Sequence, residues 1–185
     1  TANILDALNA TDVNNRLILT TKSDTSTGVS FAWGNLHASQ QNLLNTVESI
    51  TDTKGSDRVS FLRGDRTKEA NQTGGYLRTR LSRQGDIVNS NIWYVGKPTS
   101  DYNLSSYQTF TNNHANRIPM LYVGGNDGML HGFSAIDGTE KIAYVPKGIY
   151  KNLSLLTKTD YTHRFYVDGS PFTGDVNISS TATAD

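Results

Sequence analysis

Residues 118–146 constrain the fold more than any other part of the chain. Three apolar segments, at 120–123 (MLYV), 129–135 (MLHGFSA) and 140–145 (EKIAYV), are separated by Gly-Gly-Asn-Asp-Gly at 124–128 and by Asp137-Gly138. Each segment has the length of a strand, and each connection is built from turn-forming residues. Asn126, Asp127 and Gly128 therefore read as one tight structural turn. Asp137 and Gly138 read as a two-residue hairpin with both central positions at positive φ. The product is a three-stranded meander, most of the four-stranded unit that propellers repeat every ~40–45 residues. The glycines at 124–128 are not a phosphate loop, because no G-x-x-x-x-G-K-[ST] is present and a strand follows where a helix is required.

The rest of the chain reads around this meander. Residues 16–22 (RLILTTK) predict a strand, with 29–33 (VSFAW) as its hairpin partner. Leu36, Leu43, Leu44, Val47 and Ile50 follow a helical pattern and predict the strongest helix, capped by Ser39 or Asn35. A second short helix is expected over 57–62, so that residues of about 35–64 form a helical insertion. Residues 63–85 read as a loop, 86–96 as a strand, 97–103 as a loop and 105–116 as a short helix carrying Tyr107 and Phe110. Ile149, Leu153 and Leu156 mark another short helix, and 165–168 and 172–178 read as two further strands. The expected class is mainly β, with two to three blades' worth of antiparallel strands.

Composition closes several alternatives. Seventeen basic and seventeen acidic residues give a net charge of zero, which argues against a strongly charged nucleic-acid binder. The absence of cysteine excludes disulfides, thiolate-bound metals and a thiol nucleophile. No apolar run approaches the ~18 residues of a membrane helix. Thr, Ser and Asn supply 56 of 185 residues, which fits a strand- and loop-rich protein with a neutral polar surface.

The candidate sites are few. Arg63-Gly64-Asp65 is an RGD tripeptide, which in an exposed loop can bind an integrin. Between a helix and a polar loop it also reads as a glycine helix terminator with flanking charges. Arg63, Arg66, Arg78, Arg80 and Arg83 form the one basic concentration, and with Asp65, Glu69 and Asp86 nearby they read as paired surface charges. His37, His114, His131 and His163 have no metal-ligand spacing, and His131, inside a strand, reads as a hydrogen-bonded structural residue. Gly169-Ser170-Pro171 is not a nucleophile elbow.

An ordered set of motifs carries a family resemblance. RLILT (16–20), SFLRGDRTKE (60–69), LRTRLSRQGDIVNSN (77–91), YVGKP (94–98), NRIPMLYVGGNDGMLHGFSAIDGTE (116–140), AYVPKGIY (143–150) and YTHRFYVDGSPFTGDV (161–176) follow one another. In this order they resemble the C-terminal, quinoprotein-like β-propeller of the PilC/PilY family of type IV pilus-associated proteins. The family usually has a proline where this chain has Asn91-Ile92, and often an alanine in place of Gly125. The resemblance implies that residues 1–185 are part of a propeller, with the family pattern continuing past residue 185.

It also implies a non-enzymatic factor of the bacterial envelope, at the periplasm, outer membrane or extracellular pilus tip. Such a factor promotes pilus extension, surface adhesion and twitching motility. The implied partners are pilus subunits or minor pilins and a host or abiotic surface, with no nucleic acid. Some members bind calcium through a D-x-[DN]-x-[DN] loop, and none occurs in this sequence, so no cofactor is expected in this segment. Two other readings stay open: a fragment of a quinone-dependent dehydrogenase, and a general envelope scaffold. The long loops at 63–85 and 97–117 are the expected contact regions. Exposed strand edges are expected to pair between copies.

Overall fold

The computed structural model describes residues 1–176. Two short helices, α1 (Ala2–Asp6) and α2 (Ala10–Asn15), precede the first strand. Asn9 caps α2, with Asp12 returning the bond to its backbone. Strand β1 (Ile18–Thr21) pairs antiparallel with β2 (Gly28–Ser30), as the hairpin reading expects.

Helix α3 (Ala38–Leu44) is shorter than its apolar periodicity predicts. His37 caps it, with Gln40 completing a capping box, in place of the expected Ser39 or Asn35. The helix stops at Leu44, whose carbonyl accepts from Arg58 at 2.9 Å. The chain then turns through a small hairpin of β3 (Thr46–Val47) and β4 (Ile50–Thr51). Glu48 and Ser49 form its tip in left-handed conformation, with φ of 48° and 73°. Val47 and Ile50 thus belong to a hairpin, and Ile50 faces solvent. Helix α4 (Gly55–Arg63) follows, as the sequence anticipates, and ends on Gly64 at φ 116°.

The stretch 86–96 forms a strand only at its end, β5 (Trp93–Val95). Its earlier residues bond through side chains: Asp86 to Asn126, and Asn89, Ser90 and Asn91 to residues 168–170. Asx and Ser side chains compete with ladder bonds in this way. Helix α5 (Ser105–Asn113) leads to the meander of β6 (Met120–Gly125), β7 (Met129–Ser134) and β8 (Glu140–Val145). Beyond it, α6 (Tyr150–Leu153) lies between two 3-10 turns.

The turn geometry differs from expectation in one respect. Gly128 and Gly138 have positive φ, at 91° and 72°, whereas Asn126, Asp127 and Asp137 do not. Each connection places only its glycine in the left-handed region, while Asp127 and Asp137 cap nearby amides. Residues 165–168 and 172–176 form no strand, and positions 177 and 178 lie outside the described residues. The 165–176 segment runs beside the sheet on side-chain bonds. It crosses β6 so closely that a Cβ on Gly124 would lie 2.2 Å from the Val167 carbonyl oxygen.

The strands of the described residues form one six-stranded mixed sheet and the small hairpin. The large sheet has the order β2-β1-β8-β7-β6-β5. One pair breaks the antiparallel rule: β1 and β8 run parallel, with Ile18 opposite Ala143. No turn links them, so their direction is set by packing. Helices α3, α4 and α6 bury Leu44, Val59, Phe61 and Leu153 against Ile18, Ala143 and Val145 of the sheet. A smaller cluster joins Leu5 to Val123 and Phe133. Strands β2 and β5 are the sheet edges.

Candidate functional site

The β6–β7 turn places Asp127 four residues before His131, and β8 begins with Glu140. His131 is fully buried and stacks on Phe133 with ring centroids 5.5 Å apart. Its Nε2 lies 3.0 Å from Asp127 Oδ2, and its Nδ1 lies 2.8 Å from Glu140 Oε1. Arg16, just before β1, grips Glu140 twice, at 2.7 and 2.8 Å. The same guanidinium donates to the Arg63 carbonyl at 2.5 Å.

Charges alternate along this chain of four, so the buried group is neutral as a whole. Burial alone would push the His131 pKa down, but the carboxylates of Asp127 and Glu140 outweigh it and raise it to about 9. Burial would likewise raise Glu140, but His131 and Arg16 bring it down to about 2. Both ring nitrogens face carboxylates at hydrogen-bond distance, so each is already engaged within the cluster. The chemistry of the cluster is to lock the N-terminal arm, both meander turns and the end of α4 into one unit.

A second set of arginines pins residues 63–85. Arg63 donates to the carbonyls of Asn14, Arg16 and Phe31 at 2.9–3.1 Å. Gly64 ends α4, and Asp65 accepts from the Thr67 amide at 2.6 Å. The guanidinium of the RGD tripeptide therefore faces backbone, and its glycine serves as a helix cap. Arg80 pairs with Glu69 at 2.8 Å, stacks over Phe61, and donates to the carbonyls of Phe61 and Asp65. Arg83 donates to Gly64, Leu5 and Asp6, and Arg66 pairs with Asp6 at 2.9 Å. The expected surface charge pairs are thus corrected for Arg80 and Glu69, which are buried. Most of these guanidinium partners are backbone carbonyls, which no sequence pattern reveals.

The remaining histidines serve separate local roles. His37 caps α3, and His163 meets Asp86 at 2.8 Å near the surface. His114, the C-cap of α5, ends a series of rings along that helix and the loop before it. Tyr102 contacts Tyr107 at 5.1 Å, Tyr107 contacts Phe110 at 5.8 Å, and Phe110 contacts His114 at 4.5 Å. The i, i+3 and i+7 spacing of 107, 110 and 114 places these rings on one helix face. No residue of α5 is buried, and the rings line an open groove of about 420 Å³ that Asp175 and Val176 border. Tyr107 donates to Asp175 at 2.7 Å and so ties α5 to the end of the described chain.

A propeller-type β-meander locked by buried ion pairs and carrying long loops is a rigid scaffold for presenting surfaces. The sequence profile of the PilY1 beta-propeller domain matches residues 84–183, and the chain belongs to that family. The type IV pilus biogenesis factor PilY1 of Pseudomonas aeruginosa strain PAK is 44% identical over 173 residues, which is 86% of this chain and 14% of that protein. A PilY1 homolog of Xylella fastidiosa is 40% identical over 139 residues, 71% of this chain and 11% of the relative. The chain thus spans a small part of the curated relatives it matches. No solved structure matches it. Among the described residues, no helix is long and apolar enough to cross a membrane.

Proposed function

We propose that this chain is the scaffold part of a non-enzymatic type IV pilus biogenesis factor. It acts in the bacterial envelope, at the pilus tip or outer membrane, to promote pilus extension, surface attachment and twitching motility. Membership of the PilY1 propeller family over most of the chain carries this reading. Its partners are pilus subunits or minor pilins on one side and a host or abiotic surface on the other.

The contact region is the loop-and-helix segment 97–117, because no residue of α5 is buried and the rings of this segment line an open groove. The loop at 63–85 has a supporting role, since its arginines face inward. The outer strands β2 and β5 pair copies of the protein with one another. The test is deletion of 97–117 from the full-length parent in its native strain. Loss of attachment with normal protein levels supports the reading, and unchanged piliation and attachment refute the assignment of this segment. A parent that sediments as a strict monomer refutes the edge pairing.

A further inference from the structure

A small cavity of about 60 Å³ lies where residues 78–86 pass over the β6–β7 turn, roofed by Leu156 and Tyr161. Three arginines line it. Arg80 is committed to Glu69, and Arg83 to backbone carbonyls. Arg78 is different. Its guanidinium lies over the Tyr161 ring at 4.0 Å, and among the described residues it meets no carboxylate and no hydrogen-bond acceptor. Among the described residues, its Nε is sealed from solvent without a partner, and so is the side-chain oxygen of Gln84 on the same cavity. The two carboxylates lining the cavity are already engaged: Asp86 with Asn126 and His163, and Asp127 with His131 and the Gly85 amide.

A buried polar atom left without a partner is costly, and in Arg78 that atom is Nε, one arm of the guanidinium fork. The planar fork of an arginine pairs best with an oxyanion. The cavity is far below the ~300 Å³ at which sites for larger organic ligands begin, so it takes a group of a few heavy atoms. Asp86 and Asp127 repel anions, and a doubly charged one more than a singly charged one, so a ligand here carries no more than one negative charge. From these observations we infer that the cavity is a binding site for a small free carboxylate. Arg78 holds the carboxylate by its fork, and the Gln84 amide turns its NH₂ to the same oxygens. Arg78 is only part-buried, so solvent reaches the site.

The test is ligand-observed saturation-transfer NMR on the full-length parent with acetate as probe, at ionic strength fixed with chloride. A signal on the acetate methyl that propionate competes away, and that falls at least about fivefold in Arg78→Gln, supports the site. Arg78→Lys keeps the charge and the stem, so it gives an intermediate signal and guards against a folding defect in the first variant. Circular dichroism checks that both variants are folded. No signal with the wild type, or equal signals in the wild type and folded Arg78→Gln, overturns the proposal and leaves the cavity to water.

Discussion

His131 and Glu140 are joined by a 2.8 Å hydrogen bond, although they are not opposite each other in the sheet. The register partner of His131 is Ala143, three residues further along β8. Glu140 reaches back from the start of β8 because Arg16 holds its other side. The contact therefore reports on three separate segments at once.

Removing the imidazole should be severe. His131→Ala leaves Asp127 and Glu140 buried together without the cation between them. Breaking a buried pair costs about 3–5 kcal/mol. Chemical denaturation should show that loss, and a variant within about 1 kcal/mol of wild type would mean that water replaces the imidazole.

The network also sets a pH window. His131 has a folded pKa of about 9 against an ordinary 6.5, so its contribution is complete below 6.5 and is lost as pH rises through 9. Glu140 has a folded pKa of about 2 against 4.5, so its contribution is present above 4.5 and is lost as pH falls towards 2. Stability carried by the pair should plateau between 4.5 and 6.5. Melting temperature measured across pH should lose its alkaline decline in His131→Gln and keep it in a surface histidine variant such as His163→Gln.

The RGD tripeptide should act on stability before attachment. Arg63→Ala removes donors from three backbone carbonyls, at Asn14, Arg16 and Phe31. The expected loss is about 1–3 kcal/mol. Asp65→Glu, which keeps the charge, should leave unchanged any surface attachment that the full-length parent shows. A sharp fall in attachment with Asp65→Glu at normal protein levels would assign the tripeptide a receptor role.

Gly124 should tolerate no side chain. Gly124→Ala puts a methyl 2.2 Å from the Val167 carbonyl oxygen if nothing moves. The 165–176 segment must then lift from β6, and limited proteolysis should cut it earlier than in the wild type. Equal cleavage rates would show that the crossing adjusts without detaching.

The parts of the fold that local chemistry encodes were legible in the sequence. The meander followed from strand-length apolar runs between glycine-ended turns, and α4 from Val59 and Leu62 before Gly64. The parallel β1–β8 pair was not legible, because residues about 125 apart meet there with no turn to announce them. The end of α3 was hidden for a related reason. The carbonyl of Leu44 is taken by Arg58 from the next helix, while the apolar spacing runs on to Ile50. The same limit applies to the site. His131 read correctly as a hydrogen-bonded strand residue, but its link through Glu140 to Arg16 exists only after folding.

The parallel β1–β8 pair gives the domain a mechanical character. A pull on the chain before β1 and after β8 draws these parallel strands past each other, so their hydrogen bonds share the load in shear. The latches between 89–91 and 168–170 keep a constant offset of 79 positions and are side-chain bonds in single file. Tension on the segment after residue 165 loads these few isolated bonds before it reaches the sheet. Single-molecule stretching should register this as an early low-force lengthening, followed by one abrupt rupture when β8 parts from β1.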